Sequence, residues 1–165
     1  MEYDHINHTE LTQRYRSGAN WFYWIAGLTM ITSLIAFFGG GIRFLLSLGA
    51  TQFIDGVAAA LATELGGAVQ VVALVLDLVV TGIFVLFGYL AGQKLLWAYV
   101  AGMVVFLIDG LLSLAFGDIV GVIAHAVVLF WLFRGFQAGR ELVSYEKLMA
   151  EQAAAAAQQQ PEPAI

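Results

Sequence analysis

LIDGLLSLAFGDIVGVIAH, residues 107–125, places Asp109 and His125 in apolar sequence on either side of a short Phe-Gly-Asp break. Apolar runs on both flanks of so short a break read as two antiparallel helices joined by a hairpin turn. The same pattern recurs upstream. TELGG at 63–67 separates Asp55 from Asp77, AGQK at 91–94 separates Asp77 from Asp109, and GGGIR at 39–43 closes the first apolar run. Counted from Gly66 or Gly117, Asp55, Asp77, Asp109 and His125 lie about 11, 11, 8 and 8 residues away. At 1.5 Å per residue that is roughly 12–17 Å, near the middle of a bilayer core about 30 Å thick. Four helices therefore deliver ionisable groups to nearly one level. Such groups inside a membrane are costly and face a bundle interior or a watery cavity.

Composition agrees with a membrane setting. The 165 residues are 61% hydrophobic and 12% charged, with a mean hydropathy of +0.83. A soluble domain would carry about a quarter charged residues. The expected class is all-α: a polytopic transmembrane bundle of five short-loop helices, or four plus a re-entrant segment. A net charge of −5 argues against nucleic acid as a partner and leaves the lipid bilayer, with a homo-oligomer or larger membrane complex compatible. With no cysteine, disulfides and thiolate metal sites are excluded.

Taken in order, residues 1–19 form a polar N-terminal segment, with Thr9–Arg16 read as a short interfacial helix. Residues 20–136 form the bundle. Its first span, 20–38, opens on Trp21, Tyr23 and Trp24, an aromatic girdle at headgroup level. Residues 44–62 are ambiguous: Ser47, Gly49, Thr51, Gln52 and Asp55 disfavour insertion of this segment alone, yet the depth of Asp55 favours a full span over a re-entrant piece broken near Gly49. Clear spans follow at 68–90, 97–116 and 119–136. Residues 137–157 are expected to be a cytoplasmic helical extension and 158–165 a disordered tail.

Positive charge sets the orientation. Five spans put Arg43, Lys94, Arg134, Arg140 and Lys147 on one side and Arg14 and Arg16 on the other, with the N-terminus outside. Four spans leave only Arg43 outside and bring both ends in. The C-terminus is cytoplasmic either way.

Around the acids, Thr51 precedes Asp55 by four residues, and Thr81 and Ser113 follow Asp77 and Asp109 by four, so each pair shares a helix face. These six residues together with His125 are the candidate ion- or proton-binding set. One chemistry is a proton or cation pathway, with Asp109 and His125 as the natural relay pair. Another is a metal site of three carboxylates and an imidazole, suited to Mn, Fe or Zn. Haem lacks a second axial ligand, and the sequence names no cofactor. An aspartyl intramembrane protease would need a Gly-x-Gly-Asp pattern, whereas LVLDLV and LIDGLL stand here. No catalytic residue is assigned and the chain is read as non-enzymatic. The competing structural reading holds that the buried acids only hydrogen-bond helices together.

RSGANWFYWIAGL (16–28), LGATQFIDG (48–56) and WAYVAGM, LIDGL, FGDIVGVIAH and RGFQA within 97–138 together resemble an uncharacterised family of small bacterial polytopic membrane proteins. The resemblance implies a bacterial inner-membrane location and no particular activity.

Overall fold

In the computed structural model the described residues are 2–38 and 49–158, without the side chains of 2–7, 36, 52, 64 and 65. They form five helices and no strand: α1 Glu2–Phe37, α2 Gly49–Leu65, α3 Ala68–Gly92, α4 Leu96–Ala115 and α5 Ile119–Gln158. Among them α3, α4 and α5 are long and apolar enough to cross a membrane. The expected triple-glycine turn, Arg43, the first residues of the 44–62 segment and the tail from 159 lie outside the described residues.

The three expected hairpins that lie within the described residues form where the sequence breaks. Gly66 and Gly117 take left-handed backbone at φ +80° and +73°, a conformation open to residues without a Cβ. In the third turn the left-handed residue is Lys94 (φ +64°) rather than neighbouring Gly92. The Asp118 carboxylate accepts the Gly121 amide at 2.9 Å, capping the start of α5 as an acidic side chain does for orphan helix amides.

Helix α1 packs antiparallel on α3 and α5. A Cβ at Gly18 would lie 2.6 Å from the Gly135 Cα, and one at Gly88 would lie 3.2 Å from the Phe22 Cβ. Small residues at such crossings let backbones meet. The core has two storeys. Tyr15, Phe22, Phe84, Tyr99 and Phe106 fill the storey nearer the Lys94 turn. Thr29, Ser33, Asp77, Thr81, Asp109, Ser113 and His125 are buried toward the Gly66 and Gly117 turns.

One expectation is corrected here. The N-terminal polar stretch is not a separate short helix: α1 runs unbroken from Glu2 to Phe37. No proline interrupts it, Gly18 sits at the crossing instead of ending it, and His8 meets Glu146 of α5 at 3.4 Å. The full span read for 44–62 is covered by the described residues only from Gly49. There α2 begins at Gly49, in the bundle interior beside Asp109, and its 17 residues cover roughly 25 Å.

Candidate functional site

The Asp109 carboxylate is fully engaged. Its Oδ2 accepts the Gly49 amide at 2.8 Å, and Oδ1 accepts the Ala50 amide at 2.8 Å. These are the first two N–H groups of α2, which have no partner inside their own helix. The positive end of the α2 dipole therefore rests on the carboxylate. From α5, His125 Nε2 lies 2.8 Å from Oδ2. Its Nδ1 lies 2.7 Å from the Gly121 carbonyl oxygen.

A carbonyl can only accept, so Nδ1 donates to it. With Nε2 donating as well, the ring is an imidazolium opposite a carboxylate; with the proton moved to Oδ2 the pair is neutral. Either arrangement has zero net charge, which suits side chains left only 4% and 6% exposed. Phe106 stacks on the imidazole with centroids 4.5 Å apart. Gly110 makes the α4–α5 approach close, since a Cβ there would lie 3.1 Å from the His125 Cβ. Two other glycines beside the pair have different roles. Gly117 forms the turn, and the space over Gly121 holds the Asp118 carboxylate.

Asp77 on α3 is in the opposite condition. It is fully buried, with Asp55 of α2 and Ser33 of α1 as polar groups within electrostatic reach. Neither Oδ1 nor Oδ2 has a hydrogen-bond partner among the described residues, and the same is true of the Ser33 and Thr81 hydroxyls. Asp55 is half-buried and Thr51 is buried. The Ser113 hydroxyl donates to the Asp109 carbonyl at 3.2 Å, an ordinary back-bond within its own helix.

The four ionisable residues thus meet as two pairs, Asp109 with His125 and Asp55 with Asp77. The pairing leaves no group of three acidic or histidine side chains placed to hold a metal ion among the described residues, so the four-ligand metal arrangement does not form. Thr29 and Ser33 belong to the polar storey and are absent from the sequence-based set. Their i, i+4 spacing inside an apolar span is the signal that could have found them.

Comparison with protein families, curated proteins and solved structures gives no match for this chain.

Proposed function

We propose that this chain is an integral protein of a bacterial plasma membrane whose Asp55–Asp77 pair binds a proton or a small cation. In this reading α1, α3, α4 and α5 cross the bilayer, α2 enters half-way, and both ends are cytoplasmic. The observation that carries it is the Asp77 carboxyl, buried with no hydrogen-bond donor on either oxygen among the described residues. An isolated carboxylate cannot stay charged in such a place and takes up a proton or a counter-ion instead. The neighbouring Asp55 strengthens this, because two adjacent carboxyls resist joint ionisation. The reading needs no covalent catalysis.

A hydrophobic carbodiimide, which modifies protonated carboxyls in apolar surroundings, tests it. Asp77 should be labelled in the purified full chain and Asp109 spared. Sodium or lithium should protect Asp77 if it binds a cation, and only rising pH should protect it if it binds a proton. Absence of labelling at Asp77, or equal labelling of Asp109, would overturn the reading.

Asp109 and His125 favour a second, structural role for their own pair. Both carboxylate oxygens and both ring nitrogens there are engaged in fixing the buried end of α2 against α4 and α5.

A further inference from the structure

At the end of the bundle away from the polar storey, α1 and α5 enclose a groove of about 390 Å³ above the Gly18–Gly135 crossing. Trp21 and Trp131 flank it, and Arg14, Arg134 and Glu141 supply its charge. The Arg134 guanidinium lies 5.7 Å from the Trp131 ring centroid and 5.9 Å from that of Phe130. It makes no ion pair among the described residues. Arg14 is already neutralised by Glu10 at 2.6 Å. The groove therefore presents one uncompensated cation beside the tryptophans and one carboxylate, Glu141, two helical turns further out. At 1.5 Å per residue their backbones stand roughly 10 Å apart, a distance that the two long side chains reduce.

We infer that this groove binds a membrane phospholipid whose headgroup is a phosphate followed by a primary ammonium, as in phosphatidylethanolamine. This inference rests on the membrane placement proposed above, not on the Asp55–Asp77 site. Tryptophan and arginine concentrate at the headgroup level, and a guanidinium matches a phosphate with paired donors. Beyond the phosphate, Glu141, Gln13 and Gln137 offer oxygen acceptors. An ammonium can donate to them, whereas the quaternary amine of phosphatidylcholine has no N–H. A purely anionic headgroup would meet Glu141 with like charge.

Native mass spectrometry of the full chain, exchanged into equal parts phosphatidylethanolamine, phosphatidylglycerol and phosphatidylcholine, reads the retained lipid directly. Phosphatidylethanolamine should dominate. In detergent it should also raise the unfolding temperature by roughly 5 °C when well above its dissociation constant, with inorganic phosphate giving no rise. Glu141→Gln should move retention toward phosphatidylglycerol and Arg134→Gln should abolish it. Arg140→Gln, outside the groove, should leave it unchanged. Equal retention of all three lipids, an equal rise with phosphate alone, or an unaltered preference in Glu141→Gln overturns the inference. If Arg134→Gln fails to fold, the wild-type retention and the Glu141→Gln shift still decide. A chain soluble without detergent would instead overturn the membrane placement itself.

Discussion

The Asp109 carboxylate caps a helix that begins 60 residues earlier in the chain, with Oδ2 2.8 Å from the Gly49 nitrogen. The same oxygen is 2.8 Å from His125 Nε2, so one atom joins α2, α4 and α5. Asp109→Asn replaces one accepting oxygen by a donor and sets it against the amide of Gly49 or of Ala50. Breaking a buried charge pair costs about 3–5 kcal/mol, and a neutral hydrogen bond about 1–3 kcal/mol. Asp109→Asn should therefore destabilise more than His125→Ala, which leaves the two amide bonds intact. The double variant should lose less than the sum. Thermal unfolding in detergent measures all three, and strict additivity would mean that the pair does not interact.

Glycine substitutions separate two kinds of close approach. A Cβ at Gly49 meets the Ser113 Oγ at 2.5 Å and the Asp109 carbonyl oxygen at 3.1 Å. A Cβ at Gly18 meets the Tyr99 hydroxyl and the Gly135 Cα, the latter at 2.6 Å. Overpacking of this sort costs about 1–3 kcal/mol. Gly49→Ala should be partly rescued by Ser113→Ala, because the nearest obstruction is that hydroxyl. Tyr99→Phe should rescue Gly18→Ala far less, since the backbone of α5 remains in the way. Unfolding temperatures of the four combinations decide it.

At the opposite end, Glu146 joins three elements: it pairs with Lys94 of the α3–α4 turn and with His8 of α1 at 3.4 Å. The Lys94 hydrogen bond is the main reason its carboxyl is held below the usual glutamate value of 4.5. A depressed carboxyl contributes stability that is complete above 4.5 and is lost as pH falls through the lower folded value. Both side chains are more than a third exposed, so solvent screening limits the contribution to about 0.5 kcal/mol or less. Glu146→Gln should lower the unfolding temperature slightly at neutral pH and low salt. The difference should vanish in strong acid or in about 1 M salt, where the Debye length is near 3 Å. A difference that persists in both conditions would assign the effect to packing.

The helical hairpins are legible in the sequence because Gly66 and Gly117 break apolar runs that have no other reason to stop. Equal spacing about Gly117 likewise foretells the meeting of Asp109 and His125. The start of α2 is not legible, since its first amides are satisfied by a carboxylate 60 residues away and Leu48, which precedes Gly49 in the sequence, is not a capping residue type. Residue spacing also gives depth without azimuth. Asp55 and Asp77 could therefore be placed level with the other pair but not assigned to a separate one. The Gly18–Gly135 crossing escapes for a similar reason: a small residue in a helix does not name its partner. Thr29 and Ser33 were legible in principle, by the same four-residue spacing that marks Thr51 with Asp55.

Topology offers the last prediction. His8 and Glu146 meet, so the start of α1 and the end of α5 lie at one end of the bundle, beside the Lys94 turn. Arg14, Arg16, Lys94, Arg134, Arg140 and Lys147 belong to the segments at that end, six of the seven lysines and arginines in the chain. Positive charge is retained on the cytoplasmic side during insertion, and the half-inserted α2 proposed above would leave an even number of crossings. Reporter fusions at the N-terminus and at Glu151 should therefore both give a cytoplasmic signal. An external N-terminus with an internal Glu151 would require an odd number of crossings and restore the full second span. That arrangement would also pull His8 away from Glu146, so the fusion result and the Glu146→Gln response must agree.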